Sequence, residues 1–259
     1  GVEVRPGPDL LAQVWEDRPP LPAAAVYLHE ERYAGEPAGA KVDRVRKEME
    51  RSGADTMVVT ALDEIAWLLN IRGSDVSYNP VTLAYLLLDS VAVHLFIDET
   101  KLSPEVKAHL TSLGVKLRPY DKIAEALVSL PTERTLLIDN ARLNTALLQA
   151  LPAEIGRMEA PSPITPMKAR KNETQARGIR EAMRRDGAAL VEFFLWLEEE
   201  VAAGRIHREK EVSEVLREHR ASRELFVSEA FNTIAGYGPN GAIVHYAPPV
   251  KESAEIGSD

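Results

Sequence analysis

The chain has 259 residues, 45% of them hydrophobic and 27% charged, with no cysteine and a net charge of −9. That length holds two domains of ordinary size, and the acidic balance argues against a basic face for nucleic acid or an anionic membrane. The missing thiols exclude disulfides and thiolate metal sites and fit a reducing compartment such as the cytoplasm; no apolar run approaches the roughly 20 residues of a membrane-spanning helix.

Residues 1–39 carry Pro6, Pro8, Pro19, Pro20, Pro22 and Pro37 with little periodicity. This is linker composition around one short amphipathic piece, Leu10 to Trp15. Trp15 and Tyr27 are expected to cover the surface of the next domain. From Ala40 the pattern turns regular. Lys41 to Ser52 predicts a charged amphipathic helix with Val42, Val45 and Met49 on one stripe, closed by Gly53. Thr56-Met57-Val58-Val59 reads as a buried strand. Thr60 is expected to cap a following helix whose first turn holds Asp63 and Glu64 and whose buried face holds Ile65, Ala66, Leu68 and Leu69. Adjacent helical positions diverge by about 100°, so Asp63 and Glu64 cannot face one site together. Capping is their expected role, and Gly73 ends the turn after the helix.

Thr82 to Leu88 and Val91 to Ile97 predict a hairpin around Asp89-Ser90. Val91, Val93, Leu95 and Ile97 share one face, leaving His94 on the other, where a structural role is the expectation. Ser103-Pro104-Glu105 opens a helix ending at Gly114. A strand at 115–117, a helix at 121–130, a strand at 135–138 and a helix at 143–151 follow. The alternation predicts an α/β domain over residues 40–160, a mixed or parallel sheet covered by helices.

Pro161-Ser162-Pro163-Ile164-Thr165-Pro166 marks a boundary, and residues 161–171 are expected to form an extended, proline-rich connector without helix. Beyond it, residues 172–259 open with a long helix from Glu173 to Ala203, ended by Gly204. Ile179, Met183, Leu190, Phe193, Phe194 and Leu197 give that helix an apolar stripe. Gly178 and Gly187 weaken its interior, and Arg180, Arg184 and Arg185 beside Glu181 and Asp186 predict a solvated face. A second helix spans Glu209 to Arg223.

One stretch looks built for chemistry: Gly236-Tyr237-Gly238-Pro239-Asn240-Gly241-Ala242-Ile243-Val244-His245-Tyr246-Ala247-Pro248. The Gly-Pro-Asn-Gly run is a tight turn, and residues 242–246 predict a short strand stopped by Pro248. A strand leaving a glycine turn would hold His245 rigidly against a passing ligand backbone. On the residues alone, a hairpin with a satisfied interior histidine is the plainer account, because one histidine is no catalytic set. No His-Glu-x-x-His, P-loop or Gly-x-Ser-x-Gly elbow occurs elsewhere.

That stretch resembles the one preceding the metal site in cytosolic-type Xaa-Pro aminopeptidases, the aminopeptidase P branch of the pita-bread metallopeptidases. Thr60 to Val76 (Thr-Ala-Leu-Asp-Glu-Ile-Ala-Trp-Leu-Leu-Asn-Ile-Arg-Gly-Ser-Asp-Val) resembles the same branch more specifically. Trp15-Glu16-Asp17-Arg18-Pro19 resembles its interdomain linker. The similarity runs from about Asp9 to the end in family order. It implies a creatinase-like N-terminal domain followed by the helical start of a pita-bread α+β catalytic domain. The segment would lack the first domain and most of the catalytic domain.

The resemblance also implies an activity: removal of the N-terminal residue from peptides with proline in second position. In the family two divalent metals, usually manganese, do this with two aspartates, a histidine and two glutamates, all downstream of His245. After His245 the chain offers only Glu252, Glu255 and Asp259, and Asp259 falls short of the first ligand position. The expectation is therefore no metal ligand and no catalytic group in this segment, which alone is expected to be inactive. His245 is expected to line the substrate pocket as a substrate-binding residue. A homodimer is the assembly the resemblance implies, with no nucleic-acid or membrane partner. The rivals are a non-catalytic pita-bread binding module, as in histone-chaperone relatives, and a prolidase-type hydrolase.

Overall fold

The computed structural model describes Gly7 and residues 9–257; Pro6, Pro8 and Asp259 lie outside them. Short helix α1 (Leu11–Val14) is exposed, and the Asp9 carboxylate accepts the amides of Leu11 and Ala12 at its start. Trp15 does not cover the next domain as expected. It is 46% exposed and lies against the Arg18 guanidinium, 5.8 Å from the ring centre. From Val26, whose amide donates to the Lys101 carbonyl, the linker does join the domain. Strand β1 (Tyr27–Leu28) pairs antiparallel with residues 71–72, and helix α2 (Glu31–Ala34) buries Ala34.

Helix α3 (Ala38–Arg51) turns Val42, Val45 and Met49 inward as the stripe requires. All four residues of β2 (Thr56–Val59) are buried. Helix α4 (Leu62–Leu69) starts after Ala61 without a side-chain cap. Thr60 is not its cap; the hydroxyl donates instead to the Arg142 carbonyl at 2.8 Å. The helix stops at Asn70, whose left-handed φ of 52° leaves the helical path three residues before Gly73. Lys41 is buried beside that end. Its Nζ donates to Asn70 Oδ1 at 2.6 Å and to the Trp67 carbonyl at 2.9 Å, and burial pushes its ammonium down to about 8.

After β3 (Ile71–Arg72) come β4 (Tyr85–Asp89) and β5 (Val93–Phe96), paired with Leu88 opposite Val93. The Asp89 carboxylate closes this hairpin by accepting the amides of Val91 and Ala92. Helix α5 (Pro104–Ser112) has Ser103 as its cap and proline in its first turn. Then follow β6 (Val115–Arg118), α6 (Ile123–Val128), β7 (Thr135–Ile138) and α7 (Thr145–Gln149). An unforeseen strand, β8 (Gly156–Glu159), completes the domain.

The sheet order is β6-β5-β4-β2-β7-β8. Only the β2–β4 and β4–β5 pairs are antiparallel; the remaining pairs are parallel, so the sheet is mixed as expected. Side chains alternate along each strand, which splits the core in two. Met57, Val59, Leu86, Leu88, Val93 and Leu95 face α3, α4 and α5. Val58, Leu87, Phe96, Leu136 and Ile138 face α6 and α7. Fully burying each such side chain stabilises the fold by about 1.5–3 kcal/mol.

The connector is not the extended segment predicted. Residues Ile164–Ala169 form a helix, α8. Pro163 sits at its N-cap and Pro166 at its third position, where amides need no intrahelical acceptor, so neither ring breaks a hydrogen bond. Asp63 and Glu64 dock this helix rather than capping α4. Ser162 Oγ donates to Glu64 Oε2 at 2.7 Å and Thr165 Oγ1 to Glu64 Oε1 at 2.5 Å, while Lys168 pairs with Asp63. Ile164 is wholly buried beneath them.

Helix α9 (Glu173–Ala202) opens with a capping box of Asn172 and Gln175. It runs unbroken through Gly178 and Gly187. After β9 (His207–Arg208) and α10 (Glu209–Ala221), a 3-10 turn spans Gly238–Ala242, and β10 (Glu255–Ile256) pairs antiparallel with β9. The α9 stripe divides. Phe193 packs with Val212 and Leu216 of α10, and Leu190 and Leu197 lie against them. Ile179, Met183 and Phe194 stay 48%, 62% and 54% exposed. The arginine face is solvated only in part, because Asp186 accepts from Arg220 of α10 at 2.7 Å.

Candidate functional site

The site is built where α10 meets the 236–246 segment, and its organiser is a residue the sequence reading passed over. Glu209 opens α10 with no solvent exposure. Its Oε1 accepts the Tyr237 amide at 2.6 Å and the Asn240 side-chain amide at 3.0 Å. Its Oε2 accepts the Tyr246 hydroxyl at 2.7 Å and the Ala254 amide at 3.2 Å. One carboxylate thus fixes both ends of the 237–246 loop and the strand after it. Burial pushes the Glu209 carboxyl up, but donation from Tyr237, Tyr246, Asn240 and Ala254 outweighs it, so the group is held below the ordinary carboxylate range. The same bond pushes the Tyr246 hydroxyl up. A carboxylate at the start of a helix carried no local signal for this, since every donor lies 28 or more residues away.

Glycine shapes the loop at two points. A Cβ on Gly236 would sit 2.9 Å from the Asn240 carbonyl group, and Gly238 adopts φ of 55°. The predicted strand over residues 242–246 does not form. Among the described residues no segment pairs with it, and an isolated strand leaves its backbone groups without a ladder. His245 instead occupies the left-handed region at φ 59° with an exposed side chain. It makes no side-chain hydrogen bond among the described residues, whereas its neighbour Tyr246 is fastened to Glu209.

Below this loop, His207 of β9 is clasped by two carboxylates. Nε2 lies 2.8 Å from Glu200 Oε2 and Nδ1 lies 2.9 Å from Glu211 Oε1. Those contacts, Glu200 first, push the imidazole above its ordinary value, and Arg205 and His207 hold Glu200 at about 2.

The other candidates fall elsewhere. Asp63 and Glu64 both meet α8 and its start, Asp63 through Lys168 and Glu64 through Ser162 and Thr165. His94 lies half-buried on the α6 face of the sheet, in a cleft of about 380 Å³ that Arg118, Lys122 and Arg134 also line; burial and then Arg118 push it below its ordinary value. Glu255 pairs with Arg208 at 2.5 Å, and Glu252 is exposed. Among the described residues no group of three or more His, Asp or Glu side chains could hold a metal ion. A two-metal centre does not fit them.

Residues 17–175 match the family described as the creatinase/prolidase N-terminal domain, and residues 177–258 match metallopeptidase family M24. Among curated relatives, a probable Xaa-Pro aminopeptidase P of Sordaria macrospora is 39% identical over 251 residues, covering 93% of this chain and 41% of its own length. Aminopeptidase P2 of Arabidopsis thaliana is 34% identical, with 96% of this chain and 39% of that protein covered. The chain therefore spans about two fifths of these relatives. The crystal structure of X-prolyl aminopeptidase from Caenorhabditis elegans, described as a cytosolic enzyme with a di-nuclear active site, superimposes with a TM-score of 0.91 at 30% identity. That match covers 98% of this chain and 42% of the other. With more than half of its residues in the first of these matches, the chain belongs to the creatinase/prolidase N-terminal domain family and continues into a segment of metallopeptidase family M24.

Proposed function

We propose that this chain is part of a Xaa-Pro aminopeptidase, comprising a linker, the second of its domains and the substrate-facing start of its peptidase domain. The observation that carries the reading is the match to the C. elegans enzyme, which extends through both family regions at once. The substrates would be peptides with proline in second position, whose scissile amide is tertiary and offers no N–H to an enzyme. Recognition then falls on the carbonyl and the main chain around it. His245 would donate a hydrogen bond there, near the developing oxyanion. Glu209 would keep Tyr237, Asn240 and Tyr246 in place around that loop. The reading implies two metal ions, manganese, in the complete enzyme, with ligands that are not among the described residues. Cytoplasmic localisation and a homodimer without nucleic-acid or membrane partners complete the proposal; no described helix is long and apolar enough to cross a membrane.

The test is an assay of the complete protein on a tripeptide Xaa-Pro-Yaa and its Xaa-Ala-Yaa counterpart. Release of the first residue from the proline peptide alone, lost with chelator and restored by manganese, is the expected outcome. Cleavage confined to Xaa-Pro dipeptides would identify a prolidase-type enzyme instead. Failure to cleave any of them would leave a non-catalytic binding module.

A further inference from the structure

Between β3 and β4 the chain makes a loop whose construction exceeds what a connection needs. Its neck is closed by Asp75, whose Oδ2 accepts the Leu83 amide at 2.6 Å, the Thr82 hydroxyl at 2.9 Å and the Lys101 ammonium. Both charged side chains are buried, at 0% and 2% exposure. Gly73 lets the two arms of the neck touch, since a Cβ there would lie 2.9 Å from the Thr82 side chain. Inside the loop the Asn79 amide donates to the Val76 carbonyl and the Val81 amide to the Asn79 carbonyl.

This rigid neck presents an apolar tip to solvent. Val76 is 38% and Tyr78 42% exposed. Tyr78 also adopts φ of 65°, a conformation unfavourable for a bulky side chain. A ring left 42% exposed recovers only part of its burial energy against that cost, so packing alone does not explain it. Strain held by a well-determined frame at an exposed aromatic is the mark of a contact surface. The tip reaches the second family region, where the Tyr78 hydroxyl donates to Asn232 Oδ1 at 3.3 Å. Asn232 lies in the run that leads to Gly236 and His245. Around it Val227, Phe231 and Ile234 are 66%, 68% and 52% exposed. The sheet domain and the peptidase segment therefore contribute to one apolar rim.

We infer that Tyr78 is a specificity-determining residue, whose ring on the rim receives the part of a peptide substrate that follows the proline. The inference rests on the proposed aminopeptidase reading. An exopeptidase must enclose the amino terminus of its substrate, so the chain beyond the cleaved bond runs outward across the exposed edge. An aromatic face there binds backbone and side chains with little sequence preference, adding affinity for longer peptides while leaving the reacting bond untouched.

The test uses the complete enzyme with Tyr78→Gly and Tyr78→Phe, assayed on an Xaa-Pro dipeptide and on an Xaa-Pro peptide of six residues. Glycine adopts φ near 65° without strain, so Tyr78→Gly should fold with Tm unchanged or raised. It should lower kcat/KM on the long peptide about tenfold, through KM, and change dipeptide cleavage less than twofold. Tyr78→Phe keeps the ring and should match the wild type on both. Equal loss on both peptides together with a lower Tm would make Tyr78 merely structural, and no loss on the long peptide would remove it from the rim; either overturns the inference. Should wild-type enzyme cleave neither peptide, the aminopeptidase reading itself fails, a result separable from any effect at Tyr78.

Discussion

The Tyr246 hydroxyl donates to Glu209 Oε2 at 2.7 Å across 37 residues of sequence, and this bond fastens the histidine-bearing loop to the start of α10. Replacing Glu209 by Ala would leave the donors of Tyr237, Asn240, Tyr246 and Ala254 facing a void. A destabilisation of about 2–4 kcal/mol is expected, because buried donors without acceptors each cost the desolvation of a polar group. Glu209→Gln keeps the shape and should lose less. Chemical denaturation measures the loss, and hydrogen exchange should place it in residues 237–256. A change below about 0.5 kcal/mol, the range of ordinary surface substitutions, would deny Glu209 its organising role.

Two groups in the α9–α10 unit give it opposite responses to pH. The Glu209 carboxyl is held below its ordinary value, so its contribution is present above the unfolded carboxylate range and lost as pH falls through the folded value. His207 is raised above 6.5 by Glu200 and Glu211. Its contribution is complete below the unfolded value and disappears as pH rises through the raised one. Trp196, whose ring centre is 5.0 Å from that of His207, is the natural fluorescent reporter. Stability of this unit should fall at both acid and alkaline ends, and His207→Gln should remove the alkaline fall only. An unaltered alkaline fall in that variant would show that another group titrates.

The docked connector leads to a different expectation from the one its prolines suggested. Glu64 is 1% exposed and receives Ser162 and Thr165 from α8, so residues 161–171 should resist limited proteolysis. Glu64→Ala removes the acceptor for both hydroxyls and leaves Arg142, whose Nη1 lies 3.9 Å from Glu64 Oε1, without that charge. Rapid cleavage between Pro161 and Lys171 is then expected, checked by mass spectrometry of the fragments. Equally rapid cleavage in the unsubstituted protein would mean that the contacts to Glu64 do not hold the connector.

Much of the sheet domain was legible because its signals are local. Ser103-Pro104 opens α5, Asp89 closes a hairpin, and the apolar run Thr56–Val59 is a strand buried throughout. Strand β8 escaped because Gly156–Glu159 is half-exposed and lacks the β-branched residues that advertise a strand. The prolines of α8 misled because their effect depends on position within the helix, which composition does not give. The candidate site was legible only as a glycine turn with a histidine. What holds it, Glu209, acts through partners distant in sequence. The strand expected at 242–246 needs a neighbouring strand that no local pattern can report.

The role proposed for His245 depends on whether it meets the substrate or a metal ion. It lies at φ 59° on an exposed turn, with no carboxylate cluster around it among the described residues. The most direct measurement is therefore paired: metal content and kcat/KM of the complete enzyme, with and without His245→Ala. The expected result is unchanged metal stoichiometry with kcat/KM on an Xaa-Pro peptide lowered about 10²–10³-fold, the loss of one hydrogen bond to the transition state. Metal content falling together with activity would make His245 a ligand and contradict the account.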